Sequence, residues 1–138
     1  MLSVADVRFL EAFEDGSLPP EKFDHEGHVH AAWCCLEEYG GAGGRERFVT
    51  ALRQFVRIHG AEDKYHDTIT RAFLDVIAVH AASSSDWATF RRRNPAIIDD
   101  GMGLLLKHYS HDVLFSDAAR TAYIEPDILP FPADIEEG

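Results

Sequence analysis

Apolar residues recur at spacings of three and four along most of this chain, and glycine or proline repeatedly interrupts the pattern. That spacing places apolar side chains on one face of a helix, whereas the alternation typical of strands is weak throughout. The main interruptions lie at Gly16, Pro19–Pro20, Gly40–Gly44, Gly60 and Asn94–Pro95. The pattern predicts an all-α fold, in which residues 1–138 form a single compact domain of roughly five to seven helices.

Local signals predict where the helices begin and end. Ser3 and Asp6 predict a capping box for a first helix whose inward residues are Val4, Val7, Leu10 and Phe13. Further helices are expected over about 24–39, 45–59, 65–82, 86–90 and, with interruptions, 96–110. Ser116 is placed to cap a last short helix. The Pro-rich tail, residues 124–138, is expected to be extended, with Ile128, Leu129 and Phe131 lying back on the helices.

The charge of the chain excludes several classes of partner. Thirteen lysines and arginines stand against 24 acids, a formal net charge of −11. Without a basic face we expect no nucleic-acid binding, and the cluster 91–93 is interpreted as a solvated helix end. No uncharged apolar run is long enough for a membrane span, and the first residues do not resemble a signal peptide. We therefore expect a cytoplasmic protein.

The two cysteines, Cys34 and Cys35, are adjacent. Neighbours on a helix point about 100° apart and cannot form an ordinary disulfide. The simplest interpretation is two small buried side chains in a reducing compartment. A metal or redox role has no CxxC spacing to support it.

The segment "FDHEGHVHAAW" concentrates histidines where the second helix begins. On that helix, His25 and His28 open the same stripe as Val29, Ala32, Trp33 and Leu36. His30 is predicted to face outward, and Glu26 to lie on the flank. The helix dipole and the second imidazole both favour neutral rings, which bind metals or accept protons. Capping and packing histidines remain an equal alternative, and the HExxH motif of zinc proteases is absent.

The segment "KYHDTIT" is built in the same way at the start of the fourth helix, with His66 and Thr70 on its inward stripe and Asp67 beside them. If the two helix starts meet, His25, His28 and His66 converge on one cavity. Three imidazoles and a carboxylate would suit zinc, iron, manganese or nickel. Thr70 and the residues of "KHYSHD", His108 and Tyr109, are further candidates to line it. Thr70 has a structural alternative, a hydrogen bond to the carbonyl four residues before it.

The motifs "LPPEKFDHEGHVHAAWCCL", "KYHDTIT", "LLLKHYSHDVLFS" and "IEPDILPFP" resemble a family of small, mostly bacterial, uncharacterised helical proteins. Its pattern is F-x-H-x-x-H, then Y-H-[DE]-T-x-T, a Tyr-Ser pair and a late Pro-Asp. The resemblance covers about three quarters of the chain. Family members usually carry glutamate where this chain has Asp67, which is one carbon shorter. The resemblance implies one shared site that contains His25, His28, His66, Thr70 and Tyr109, and it implies no reaction.

Three functions fit these observations. The first is a metal-dependent enzyme acting on a small molecule, with His25, His28 and His66 as metal ligands and His66, Asp67 and Tyr109 in catalysis. Thr70, Glu26 and His108 would bind the ligand. The second is a small-molecule binding module without turnover. The third is a structural or interaction protein with a buried histidine network, whose tail docks on a second chain, for example in a homodimer. The fingerprints of serine acyl transfer, ATP use and NAD use are absent.

Overall fold

The computed structural model describes residues 2–81 and 84–131, and these ranges form nine α-helices, two single-turn 3₁₀ segments and no strand. The predicted all-α class is confirmed. Five helices have seven or more residues, and four short ones lie in the C-terminal third. The helices are α1 (Val4–Asp15), α2 (His25–Tyr39), α3 (Gly41–Ile58), α4 (Asp67–Ala81), α5 (Trp87–Arg93), α6 (Pro95–Asp99), α7 (Gly101–Leu105), α8 (His111–Leu114) and α9 (Asp117–Thr121).

Helix α2 lies at the centre of the fold. The six consecutive residues 31–36 are all buried, so this part of the helix has no solvent-facing side. Helices α1, α3, α4 and α6 contact it from different directions. A helix that is apolar all round must be enclosed by others, and α2 satisfies that rule over residues 31–36. Both cysteines belong to this enclosed stretch and are free thiols, as the sequence predicted.

The turn between α2 and α3 is a single residue. Gly40 adopts a positive φ of 83° and ends α2, and α3 begins at the next residue. The prediction that α3 starts near residue 45 is therefore wrong. Glycines 41, 43 and 44 belong to its first turns although their helix propensity is poor. Packing explains the glycine at position 44, because a Cβ there would lie 2.7 Å from the Cys35 carbonyl oxygen and 2.8 Å from the Leu36 Cα atom.

The capping box of α1 is confirmed, since the Ser3 and Asp6 side chains each accept a hydrogen bond from the other's backbone N–H. The predicted inward stripe is only half right. Leu10 and Phe13 are buried, but Val4 and Val7 are 69% and 39% exposed. Helix α1 packs on α2 and α3 through the face that carries Asp6, Leu10 and Phe13, and Val4 and Val7 lie outside that face.

The C-terminal third consists of short helices, and only some of its predicted breaks are correct, since Gly101 and Gly103, expected to interrupt the 96–110 segment, both belong to α7. Pro95 opens α6, and α6 and α7 divide the interrupted segment at Asp100. The side chain of Ser116 caps α9 as predicted. Arginines 91–93 form the exposed last turn of α5, which confirms their interpretation as a solvated helix end. Helix α8, capped by Ser110, was not predicted.

The start of the tail docks on the helices through its backbone. The N–H groups of Ile128 and Leu129 both donate to the His108 carbonyl, and the Phe131 ring lies 4.3 Å from the ring of His108. Ile128 and Leu129 themselves are 59% and 52% exposed, so the prediction that they lie on the helices is wrong. Backbone hydrogen bonds, together with Phe131, hold this segment. Residues 132–138 of the predicted tail lie outside the described residues.

None of the helices in the described ranges combines the length and the apolar character that crossing a lipid bilayer requires.

The close approach of α2 and α3 generates a paired prediction. Gly44→Ala forces a Cβ against the backbone of α2 and should lower the free energy of unfolding by about 1–3 kcal/mol. Gly43→Ala, one residue earlier, meets only the Tyr39 Cβ at 3.8 Å and should raise it by up to about 1 kcal/mol through helix propensity. Urea unfolding of both variants measures the difference, and equal effects of the two substitutions would contradict the packing argument.

Candidate functional site

A cavity of about 610 Å³ lies where the N-terminal ends of α2 and α4 meet the side of α3. Most of its wall is aromatic or aliphatic. The structure brings His25, His28, His66 and Thr70 together at this cavity, as the sequence predicted, while their chemical roles stay predictions. The apolar part of the wall includes Phe23, Leu52, Phe55, Phe73, Ile77 and Met102.

His66 uses both of its ring nitrogens on backbone groups. Its Nδ1 accepts from the Ile69 N–H at 3.1 Å, which caps the start of α4, and its Nε2 lies 2.9 Å from the Leu114 carbonyl oxygen. An Nδ1 that accepts and an Nε2 that donates define one neutral tautomer. His66 therefore joins α4 to α8, and it would have to give up one of these bonds to bind a metal.

His25 is more exposed than predicted. Its Nε2 donates to the Ile97 carbonyl at 2.8 Å, which links the start of α2 to α6. The ring packs against Phe73, and Gly101 approaches it so closely that a Cβ there would lie 2.7 Å from Nε2. Nevertheless the residue as a whole is exposed, so the prediction that His25 faces inward is wrong. It stands at the rim of the cavity.

His28 is the least committed imidazole at the cavity. It is half-buried and stacks on Phe23 with ring centroids 3.9 Å apart, but among the described residues no hydrogen-bond partner reaches its ring nitrogens. Burial, reinforced by the neighbouring His25 and opposed by Asp24, lowers the pKa of His28 to about 4. The ring is neutral at neutral pH and presents a lone pair to the cavity.

Several other polar groups of the wall already have partners. Thr70 donates to the His66 carbonyl at 2.7 Å, the backbone bond that was its structural alternative. The Tyr65 hydroxyl donates to Asp67, and the Asp24 carboxylate caps α2 through the Gly27 N–H. These bonds fix the shape of the cavity, and His28 is the imidazole of its wall for which the described residues supply no hydrogen-bond partner at either nitrogen.

Four predicted site residues lie outside the cavity lining. Asp67 begins α4 on a different face from His66 and pairs with Arg71 and Arg53, away from the imidazoles. Tyr109 is fully buried, and its hydroxyl donates to the Ile124 carbonyl.

Glu26 and His108 are engaged with other elements. Glu26 forms a two-pronged ion pair with Arg91 of α5, at 2.9 and 3.1 Å. The Nδ1 of His108 lies 2.7 Å from the Leu129 carbonyl oxygen of the tail. The expected placement of Tyr109 at the cavity and of Asp67 beside an imidazole is therefore wrong, because Asp67 makes its contacts on another face of α4 and Tyr109 is buried in the turn between α7 and α8.

The prediction that His30 faces outward is also wrong. Its ring is stacked between Phe9 and Trp87, with centroid distances of 4.5 and 4.4 Å, and its side chain is 18% exposed. The apolar stripe of α2 predicts a single buried face, whereas α1 and α5 cover a second side of the helix. Asp6, His30 and Cys34 form a group on that side that could hold a metal ion. Sequence reasoning missed it, although His30 and Cys34 are four residues apart, the spacing of one helix face.

No family model matches the chain, and no curated protein or solved structure is significantly similar to it. The resemblance to a family of small bacterial proteins therefore stays a prediction, and the chemistry of the site rests on its geometry.

The low pKa of His28 generates a prediction about pH. The unfolded chain takes up a proton on His28 near its ordinary pKa of 6.5, and the folded protein does so only near 4. Stability from this residue is thus fully present above 6.5 and is lost as the pH falls towards 4. Between about pH 7 and pH 4.5, wild type should lose on the order of 2 kcal/mol more unfolding free energy than His28→Gln.

Chemical denaturation at a series of pH values measures this difference. The exposed His111 is the control, because His111→Gln should parallel wild type. If His28→Gln lost as much unfolding free energy on acidification as wild type does, the pH dependence of stability would originate in another group.

Proposed function

We propose that this chain binds a small, largely apolar molecule that carries a hydroxyl group, with the apolar part in the cavity between α2, α3 and α4 and the hydroxyl on His28. One observation carries the proposal. A half-buried imidazole faces an apolar cavity and has no hydrogen-bond partner among the described residues.

The size and lining of the cavity support this class of ligand. A volume of about 610 Å³ lies within the range of about 300–1,000 Å³ that drug-sized ligands occupy. Aromatic and aliphatic side chains form most of its wall, so an apolar body gains roughly 25 cal/mol for each Å² that it removes from water. The few fixed polar groups around such a wall determine the orientation of a ligand, and electrostatic attraction contributes little to its affinity.

The imidazole supplies the specificity. His28 is half-buried, and its ring nitrogens are not among the fully buried polar atoms that lack a partner, so a ligand hydroxyl that donates to it gains about 0.5–1.5 kcal/mol, the net worth of one hydrogen bond. Because the pKa of His28 is lowered to about 4, its ring stays an acceptor throughout the neutral range. An isosteric ligand without the hydroxyl leaves the ring unpaired and should bind less tightly.

The same observations favour binding over catalysis. A base whose pKa is near 4 holds a proton too weakly to be an effective general base at neutral pH. The predicted catalytic partners are committed elsewhere, His66 to two backbone groups and Asp67 to arginines. A metal-dependent enzyme using zinc, iron, manganese or nickel at His25, His28 and His66 is the alternative, and it requires His66 to break a backbone bond.

A matched pair of probes tests the proposal. 4-Propylphenol and its methyl ether have the same apolar body, but only the phenol donates a hydrogen bond. By calorimetry or NMR titration, wild type should bind the phenol about tenfold more tightly than the ether, the equivalent of about 1.4 kcal/mol. His28→Phe should bind both equally, because the substitution keeps the stacking on Phe23 and removes the acceptor.

The exposed His111 again gives a control, since His111→Phe should keep the preference for the phenol. Two outcomes contradict the proposal. One is that neither probe binds wild type at any concentration up to its solubility. The other is that His28→Phe retains the preference, which would place the acceptor on another group.

A further inference from the structure

Three different metal-ligating side chains meet on the side of α2 away from the cavity. Asp6 comes from α1, and His30 and Cys34 lie one turn apart on α2. One ligand atom from each lies within 4.8 Å of the other two, and His30 Nε2 is 2.9 Å from an Asp6 carboxylate oxygen. None of the three lines the cavity, so this cluster is independent of the proposed ligand site.

The donor set has the chemistry of a zinc site. Imidazole nitrogen, carboxylate oxygen and thiolate sulfur are the three donor types that zinc binds in proteins, at about 2.0–2.3 Å each. The donor atoms around a single zinc ion are less than 4.8 Å from one another. The three donor atoms found here already meet that limit, so small side-chain adjustments would bring them onto one ion. An ionised Asp6, an ionised Cys34 and a neutral His30 together carry two negative charges, which balance a divalent cation.

The surroundings hold these donors in place. The His30 ring is fixed between Phe9 and Trp87, with interplanar angles of 13° and 17°. The second carboxylate oxygen of Asp6 accepts the Ser3 N–H at 3.0 Å, which orients the first oxygen towards His30. Groups of this kind commonly orient ligands around a protein-bound metal.

We propose that Asp6, His30 and Cys34 bind a divalent, thiol-seeking transition-metal ion of the zinc class, which ties α1 to α2. On binding, the Cys34 thiol releases its proton to solvent and its sulfur donates to the metal. The proton on His30 Nε2 moves to Nδ1, so that Nε2 can donate its lone pair, and an oxygen of Asp6 supplies the third bond. One proton leaves for each ion bound, and a solvent molecule completes four-coordination.

The state of the thiol sets the pH dependence of this step. The buried Cys34 thiol carries its proton when no ion is bound, and a bound cation must displace that proton. Affinity should rise with pH, and metal uptake should acidify an unbuffered solution.

Cobalt(II) is the probe, because a thiolate bound to cobalt gives a charge-transfer absorption in the near ultraviolet. Reduced, untagged wild-type protein should develop this band at one cobalt per chain, and zinc should abolish it by displacement. Cys34→Ser should lose the band. Cys35→Ser is the matched control and should keep it, since Cys35 is the adjacent, equally buried thiol outside the cluster.

A second measurement covers the case in which Cys34→Ser fails to fold. Zinc should raise the melting temperature of wild type, and Asp6→Asn should weaken zinc affinity about 10- to 100-fold while its side-chain oxygen still accepts the Ser3 N–H. The proposal is overturned if wild type shows no cobalt band and no zinc-dependent rise in melting temperature. It is equally overturned if Cys35→Ser abolishes the band. Neither result bears on the phenol and ether measurements, which concern a different site.

Discussion

Six consecutive residues of α2, Ala31 to Leu36, are shielded from solvent on every side, and the neighbouring helices take their positions from that requirement. Helix α3 comes closest, because Gly44 has no side chain to separate the two backbones. With its middle fully enclosed, α2 can present polar groups only near its two ends, and the cavity lies at the N-terminal end. The histidines gather there because that is where the helix leaves the core.

Much of the fold could be predicted from the sequence, because helix periodicity and breakers are local signals. The caps at Ser3 and Ser116 and the span of α2 follow from a few neighbouring residues. The start of α3 could not be predicted, since glycine propensity argued against a helix that packing against α2 imposes. His30 was misplaced for a similar reason, because one stripe of one helix cannot reveal that α5 covers its other side.

For the candidate site, the sequence indicated which side chains meet and not what each one does. Spacing brought His28 and His66 to one cavity, but their roles depend on what lies beside each ring. His66 has a carbonyl of α8 on one nitrogen and an N–H of α4 on the other. His28 has only the face of Phe23. Partners distant in sequence thus decide which imidazole can take a ligand, and no local pattern encodes them.

The positions of the two tryptophans give the protein a built-in optical reporter. Trp87 stacks directly on His30, and the fully buried Trp33 lies 5.9 Å from Trp87. Neither lines the cavity, whose aromatic wall consists of phenylalanine, tyrosine and histidine. Intrinsic fluorescence excited at the indole band therefore originates on the side of α2 that carries Asp6, His30 and Cys34. A change in emission senses events around that imidazole, whereas a molecule entering the cavity reaches the indoles only through the intervening body of α2.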